Sequence, residues 1–255
     1  MTKHIDQLPT AVLFDFGDTL MEIYDRSRRR GIEALLPYAA NLNGRASGPA
    51  REQLIDELAE FGRGLDYRFE TLSARHNIEY RQLDFHRLLY GKFGIEFSID
   101  EDELEWRYWD ASLGMRPEEG LAELLEALRR RSVRMAVISN TSFRDFVLRR
   151  ELQRQGLLQY FEFVMASADY GIRKPDPLLY QVALQRMGLP ADQTWYAGNM
   201  TTVDCAGAQA AGMRPLWYAA PDIKSGGYAQ ALADLPAASI VIRHWTDLEQ
   251  LLPTD

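Results

Sequence analysis

Four short apolar runs in this 255-residue sequence each lead into residues that could do chemistry. Asp15 follows the first run, Ser139 ends the second, Lys174 lies in the loop after the third, and Asn199 and Asp204 follow the fourth. Carboxylate and carbonyl oxygens are the ligands that Mg²⁺ takes in proteins, usually together with water and a substrate phosphate. A carboxylate can also attack phosphorus directly and form an acyl phosphate. These residue types therefore indicate a site for an anion held with a hard divalent cation.

The element that would position Asp15 can be inferred from the residues before it. Ala11–Phe14 is a run of four apolar residues, which is typical of a strand covered on both faces in a parallel sheet. Ligands of such sheets bind beyond the carboxyl ends of the strands, where Asp15 would lie. Taken alone, Asp15 has a second interpretation as part of a turn, because Asp and Gly are common turn residues.

The rest of the chain alternates between strand and helix patterns, apart from one long helical stretch. Between residues 24 and 113 apolar residues recur at spacings of three and four, and no strand is predicted there. Beyond it, a helix is predicted over residues 117–131, and strands over 134–138, 161–166 and 194–197 alternate with further helices. This order predicts an α/β fold with a Rossmann-like parallel sheet, interrupted once by an all-α insertion.

Composition and charge exclude several classes of partner. The formal net charge of -8 argues against a nucleic acid or an anionic membrane surface as the main partner. Cys205 is the only cysteine, so the chain can form neither an internal disulfide nor a cysteine-only metal cluster. No stretch has the length and apolar character of a membrane span. A cytoplasmic protein is expected.

Four stretches of the sequence resemble, in order, the motifs of the haloacid dehalogenase superfamily, whose members are aspartate-nucleophile hydrolases. They are Asp15-Phe16-Gly17-Asp18-Thr19-Leu20, Val137-Ile138-Ser139-Asn140, Gly171-Ile172-Arg173-Lys174-Pro175-Asp176-Pro177, and Tyr196-Ala197-Gly198-Asn199 followed by Asp204 and residues 207–213. The resemblance covers essentially the whole chain. It implies an α/β hydrolase core of residues 1–21 and 114–255 and a helical cap of the C1 type over residues 22–113.

The resemblance also implies a role for each matching residue. Asp15 would be the nucleophile, Ser139 would donate a hydrogen bond to the phosphoryl oxygens, and Lys174 would neutralise Asp15 and the transferred group. The substrate-binding residues would be Ser139, Asn140, Lys174 and Thr19, the last by supporting the loop. Mg²⁺ would be held by Asp15, the backbone carbonyl of Gly17, and Asn199 or Asp204.

Two positions depart from the family pattern. Phosphatases of the family carry a second Asp, their general acid and base, where this chain has Gly17; the neighbouring Asp18 points in a different direction and is not a simple substitute. Loss of a positioned acid or base costs about 10²- to 10⁴-fold in rate. The glycine at position 17 therefore implies a slow enzyme or one that acts on substrates with good leaving groups. Asn199 replaces the Asp of the fourth motif, so weaker Mg²⁺ binding is expected.

Three functions are compatible with this pattern. The first is a Mg²⁺-dependent phosphatase that acts on a small phosphorylated metabolite through an aspartyl-phosphate on Asp15. The second is an L-2-haloacid dehalogenase-like hydrolase, which needs no metal and would place a cap arginine, for which Arg45 is a candidate, over Asp15. The third is a catalytically degenerate member that binds a phosphorylated ligand or a protein partner. Phosphonate-cleaving members of the family use a lysine of the cap. Lys92 is the only lysine of the expected cap, and its position in a helical pattern is typical of a surface residue.

A monomer or a homodimer is expected.

Overall fold

The computed structural model describes residues 8–42, 44–219 and 225–252. Its strands are β1 (Ala11–Phe14), β2 (Met21–Arg26), β3 (Leu113–Pro117), β4 (Arg134–Ser139), β5 (Val164–Ala166), β6 (Thr194–Gly198), β7 (Arg214–Tyr218) and β8 (Ile240–Ile242). Its helices are α1 (Arg28–Leu35), α2 (Gly48–His76), α3 (Gln82–Lys92), α4 (Glu101–Ser112), α5 (Leu121–Arg130), α6 (Asp145–Arg154), α7 (Ser167–Tyr170), α8 (Pro177–Met187), α9 (Ala206–Ala210), α10 (Ser225–Ala233) and α11 (Trp245–Leu251). Both ends of the expected core, residues 1–7 and 253–255, lie outside the described residues.

Six strands form one parallel sheet in the order β5-β4-β1-β6-β7-β8, which confirms the α/β prediction. β1 lies at the centre, and its last residue, Phe14, pairs with Val137 of β4 on one side and Ala197 of β6 on the other. The carboxyl ends of these three strands therefore lie side by side. In sheets of this kind ligands bind at such an edge, where the connections leave in opposite directions.

The sheet is covered on both faces, as the run of apolar residues in β1 requires. Val12 and Phe14 enter one hydrophobic cluster, whereas Ala11 and Leu13 enter a second cluster that includes Tyr196. Successive strand residues point to opposite faces, so this division follows from the strand period of two. α5 covers the first face because its four buried leucines recur at spacings of three, one and three residues: Leu121, Leu124, Leu125 and Leu128.

The helices α1–α4 lie between β2 and β3, and we call them the helical insertion. β2 and β3 form an antiparallel two-stranded ribbon at its base. The expectation of no strand between residues 24 and 113 is therefore wrong for residues 24–26, which belong to β2, and β3 begins at the last residue of that stretch. β2 lacks an apolar pattern because Tyr24, Asp25 and Arg26 are exposed. β2 is a strand because it pairs with β3, about ninety residues further along the chain. A pairing between such distant segments leaves no signal in the local sequence.

The helix expected over residues 117–131 begins later, at Leu121. Pro117 pairs with Met21 in the ribbon, and Gly120 has a positive φ of 75°, which ends the extended segment. The two glutamates at 118 and 119 therefore precede the helix and do not form its first turn.

The insertion packs directly on the sheet domain. Trp109 of α4 contacts Phe16, with ring centroids 6.1 Å apart, and Phe143, with centroids 4.8 Å apart. One hydrophobic cluster runs from the insertion into the sheet without a break. No helix among the described residues is long and apolar enough to cross a membrane.

A short stretch of the insertion, residues 77–82, also bonds to the sheet domain through its main chain, and we call it the docking segment. Glu79 N donates to Gly171 O (3.1 Å), Arg173 N donates to Asn77 O (2.9 Å), and Gln82 N donates to the carbonyl of residue 142 (2.7 Å). The docking segment therefore holds the insertion to the loop that leads into Lys174.

Candidate active site

The carboxyl ends of the three central strands bring the motif residues together, as the sheet order requires. Asp15 follows β1 directly and its backbone N–H donates to Ala197 O (2.8 Å), which fixes its position beside β6. Ser139 ends β4, and Asn199 follows β6. All three line one cavity of about 890 Å³ that lies between the sheet edge and the helical insertion.

Lys174 is the centre of the hydrogen-bond network in this cavity. Its Nζ donates to Asp15 Oδ1 (2.7 Å), Asp204 Oδ1 (2.7 Å) and the Tyr196 hydroxyl (2.6 Å). An ammonium group has three protons, so these three bonds use all of them. The side chain is 1% exposed. Lys174 is therefore a fixed buried cation between two carboxylates.

Burial and charge act in opposite directions on the ionisation of these groups. Burial raises the pKa of Asp15 to about 6, against the lowering effect of Lys174, and the nearby Asp204 carboxylate raises it further. Burial alone would lower the pKa of Lys174, but the two facing carboxylates raise it above its ordinary value. Two buried carboxylates thus share one cation, and the site attracts further positive charge.

Asp204 is held on both oxygens. Oδ1 accepts from Lys174, and Oδ2 accepts from the backbone N–H of Met200 (2.9 Å). Asp204 lies in a π-helical turn, Thr201–Cys205, and packs on Gly198 so closely that a Cβ at position 198 would lie 2.4 Å from Asp204 Cγ. Only glycine fits at this position, because the missing side chain makes room for the carboxylate.

Tyr196 belongs to this network, although the sequence interpretation assigned it no role. Its hydroxyl accepts from Lys174 and donates to Ile138 O (2.9 Å), so it connects the lysine to β4. A signal was present in the sequence, because Tyr196 and Gly198 are two residues apart on one strand and therefore share a face. Gly198 faces Asp204, so Tyr196 faces the same side of the sheet edge.

Asn140 and Thr19, both expected to bind or support the substrate, occupy different settings. The Asn140 side chain bonds twice to the backbone of Lys174: Nδ2 donates to its carbonyl and Oδ1 accepts from its N–H, each at 2.8 Å. Asn140 also lines the cavity. The Thr19 hydroxyl is buried with no hydrogen-bond partner among the described residues, and its carbonyl accepts from Trp245 Nε1 (3.1 Å). Thr19 does not line the cavity within the described part of the chain.

The turn after Asp15 explains how Gly17 and Asp18 are presented. Met21 N donates to Phe16 O (2.9 Å) and Asp18 N donates to Met21 O (2.7 Å), and neither bond uses the Gly17 carbonyl. Asp18 has a positive φ of 53°, and its Oδ1 accepts from the backbone N–H of Ile23 (3.1 Å). Gly17 and Asp18 both line the cavity.

The donor set fits a hard divalent cation with few charged ligands. The described residues hold no group of three or more His, Cys, Asp or Glu suited to a metal. Candidate oxygen donors are those of Asp15, the Gly17 carbonyl and the Asn199 amide, and all three residues line the cavity. Mg²⁺ accepts such carboxylate and carbonyl oxygens alongside water and phosphate. Asp204 already accepts hydrogen bonds on both oxygens, from Lys174 and from the Met200 N–H, so its main contact is with Lys174 and not with a metal.

The insertion supplies the opposite wall of the cavity. Arg28 of α1 pairs there with Asp66 of α2, and Glu79 of the docking segment accepts from Ser167 Oγ (2.9 Å). Burial raises the pKa of Glu79, against the lowering effect of Arg173.

Neither basic residue considered for the cap lies in this wall. Arg45 Nε donates to the nearby Leu42 carbonyl (3.3 Å), and Lys92 Nζ lies 5.3 Å from the centre of the Phe61 ring. Neither lines the cavity as far as the structure describes the chain.

A sequence profile of the haloacid dehalogenase-like hydrolases matches residues 9–212, which include the first three motifs, the insertion and the fourth motif up to residue 212. The chain belongs to this family. The resemblance inferred from the four motifs is thereby confirmed, and so is the expectation of a hydrolase.

Relatives within the family carry several activities. The chain is 24% identical to a glyceraldehyde 3-phosphate phosphatase of Pyrococcus furiosus over 94% of this chain and 90% of that protein. It is 34% identical to a phosphoserine phosphatase of Thermus thermophilus, over 42% of this chain and 46% of the relative. Among solved structures, a 2-haloacid dehalogenase from Pseudomonas syringae is 25% identical and superposes with a TM-score of 0.62, over 96% of this chain and 98% of the other.

Proposed function

We propose that this chain is a phosphatase that hydrolyses a small phosphorylated metabolite through an aspartyl-phosphate on Asp15. The observation that carries the proposal is the bonding of Lys174, which holds Asp15 and Asp204 together at the carboxyl edge of the sheet, inside the cavity. The relatives in Pyrococcus and Thermus, both named as phosphatases of small metabolites, support the substrate class.

In this proposal each residue acts through an atom that faces or supports the cavity. An oxygen of Asp15 attacks phosphorus, and Lys174 favours the ionised form of Asp15 by compensating its charge. Ser139 donates its hydroxyl proton to a phosphoryl oxygen, and Asn140 fixes the backbone of Lys174. Preorganised donors of this type stabilise the charge that develops in the transition state.

Mg²⁺ is the cofactor that we propose for this site. Asp15, the Gly17 carbonyl and Asn199 would hold it, with Asp204 close by. The ion would supply positive charge against the phosphoryl oxygens and against the two carboxylates. Since only one of the three direct ligands carries a charge, we propose that binding is weak.

A panel of small phosphorylated metabolites, assayed for phosphate release with and without Mg²⁺, tests the proposal. Asp15→Asn is the matched control, because it keeps an oxygen that can accept from Lys174 but removes the nucleophile. We expect release that depends on both Mg²⁺ and Asp15. Ligands that stabilise the protein thermally without any turnover would point instead to a degenerate binding protein.

Carbon–halogen hydrolysis is the second candidate, favoured by the dehalogenase from Pseudomonas syringae, which aligns along nearly the whole chain. It would proceed through an ester on Asp15 and needs neither a metal nor an acid at position 17. The cap arginine considered for it, Arg45, does not line the cavity in the described residues. Halide release from 2-haloacids without added metal would favour this candidate over the phosphatase.

A further inference from the structure

Position 17 faces an apolar group, where a phosphatase of the family would carry its proton donor. Gly17 has no side chain, and a Cβ built there would lie 3.1 Å from Ile23 Cδ1. Ile23 also lines the cavity. A side chain at position 17 would therefore meet a methyl group, and the cavity has no carboxylic acid at this position.

The neighbouring carboxylate does not fill this gap. Asp18 has its backbone in the left-handed region, its N–H donates to Met21 O, and its Oδ1 accepts from Ile23 N. These contacts hold Asp18 as part of the turn that starts the ribbon.

Two other carboxyl groups of the cavity are engaged by cations. Asp204 is bonded to Lys174 and to the Met200 N–H, and Asp66 is paired with Arg28. Both carboxylates are therefore already engaged by donors of the protein.

The remaining two lie on the insertion. Glu79 accepts from Ser167, and Arg173 Nε lies 3.7 Å from it. Glu70 of α2 lines the cavity but is exposed to solvent. Among the described residues, the cavity therefore offers no buried, unengaged acid to protonate a departing alcohol.

The wall near Asp15 has a different character, because aromatic rings cover it. Phe16, Trp109 and Phe143 line the cavity, and the Trp109 ring contacts each of the other two. The Trp109 indole N–H donates to Glu151 (3.4 Å). Aromatic faces accommodate a planar apolar group and exclude water from it.

We propose, on the basis of the phosphatase function above, that the substrates are phosphate esters with a weakly basic leaving oxygen, and that aromatic esters fit best. Asp15 Oδ forms a bond to phosphorus while the bond from phosphorus to the leaving oxygen breaks, and the electron pair departs on a phenolate. The phenolate takes its proton from solvent. Water then attacks the phosphorus of the aspartyl-phosphate, which regenerates the Asp15 carboxylate and releases phosphate and a proton.

A series of phenyl phosphates with graded substituents, together with simple alkyl phosphates, tests this inference on the unaltered protein. We expect kcat/KM to fall steeply as the pKa of the leaving group rises, and alkyl phosphates to react ~10²-fold or more slowly than the best aryl phosphates. A kcat/KM that is flat across the series would overturn the inference, because it would mean that a proton donor is present.

Two variants at one position sharpen the result. Gly17→Asp supplies the missing acid, and its Cβ meets only the flexible end of Ile23. We expect it to raise kcat/KM for alkyl phosphates by ~10²-fold and for nitrophenyl phosphate by less than ~10-fold, since a positioned acid helps only poor leaving groups. Gly17→Asn introduces a side chain of the same shape without the acidic proton, so it should not give this selective gain for alkyl phosphates. Equal gains from both variants would contradict the inference.

The series also separates this inference from the function on which it rests. If no ester releases phosphate, or if release survives Asp15→Asn, the proposed phosphatase mechanism fails and the inference fails with it. If release depends on Asp15 but does not depend on the leaving group, only the inference fails.

Discussion

The hydroxyl of Tyr196 lies 2.6 Å from Nζ of Lys174 and 2.9 Å from the carbonyl oxygen of Ile138. Tyr196 thus ties the buried cation of the site to the strand that ends in Ser139. The Lys174 ammonium is held on three sides, by two charged groups and one neutral group. The neutral contact can be removed without changing the charge of the site.

Tyr196→Phe should therefore reduce turnover by impairing the position of Lys174. Without the hydroxyl, one proton of Lys174 and the Ile138 carbonyl each lose a partner, which costs ~1–3 kcal/mol of stability. We expect kcat for phosphate release to fall about 10-fold or more with little change in KM, because small displacements of a charged group are costly. Steady-state kinetics and urea unfolding measure the two effects.

Tyr218→Phe is the control for Tyr196→Phe. Tyr218 is also a buried tyrosine of the sheet, and its hydroxyl donates to Glu118 (2.8 Å) away from the cavity. Its loss should lower stability by a similar amount and leave kcat unchanged. An equal fall in kcat in both variants would show that Tyr196 acts only through general stability.

Asp15→Asn should stabilise the protein at neutral and higher pH. The pKa of Asp15 is raised by burial to about 6, so the cost of keeping it ionised is fully present above pH 6 and is lost as the pH falls toward 3.8. Asn carries no charge at any pH. The pKa is raised from 3.8 to about 6, and one pKa unit corresponds to about 1.4 kcal/mol, so the variant should gain about 3 kcal/mol at pH 8. Urea unfolding at pH 8 and pH 5 should show this gain shrinking at the lower pH; a constant difference would contradict the assignment.

Gly198→Ala should displace Asp204. The added Cβ would lie 2.4 Å from Asp204 Cγ, so the carboxylate must move away from Met200 N and Lys174. We expect a loss of ~1–3 kcal/mol in stability, typical of overpacking, together with reduced phosphate release. Gly64→Ala is the matched control, because nothing lies within 4 Å of its Cβ in α2 and alanine favours a helix. It should leave activity unchanged and stabilise slightly.

Asn199→Asp should strengthen Mg²⁺ binding. The substitution adds a negative charge to a donor set in which Asp15 is the only charged direct ligand, and ligand charge tunes affinity for such ions. We expect the Mg²⁺ dissociation constant to fall by about 10-fold, measured by calorimetry and by the Mg²⁺ dependence of turnover. Asn199→Ala should weaken binding. An unchanged affinity in both variants would place the metal elsewhere.

Three motif residues could be placed from the sequence because each lies at or just after the end of a short buried strand. Once β1 is recognised as a buried parallel strand, Asp15 must lie at its carboxyl end, and the structure places Ser139 and Asn199 at the carboxyl ends of the flanking strands β4 and β6. The α/β class follows from the same alternation. These inferences use only local patterns and the geometry of parallel sheets.

What the sequence could not supply depends on contacts between distant segments. The ribbon exists because Met21 pairs with Pro117, and β2 has no apolar alternation of its own. The part played by Tyr196 depends on where Lys174 Nζ lies, which is fixed by a loop over twenty residues earlier. Thr19 is a polar residue of a motif, yet its hydroxyl is buried. The path of the turn after Asp15 determines which of its side chains point into the core, and that path cannot be read from the sequence.

The docking segment joins the insertion to the loop that carries the buried cation of the site. Ile78 of that segment pairs with Ile172, and the backbone N–H of Arg173, the residue before Lys174, donates to the Asn77 carbonyl. The insertion therefore helps to determine where the Lys174 ammonium lies. Through Lys174, a helical segment far from Asp15 in the sequence contributes to the charge balance of that carboxylate.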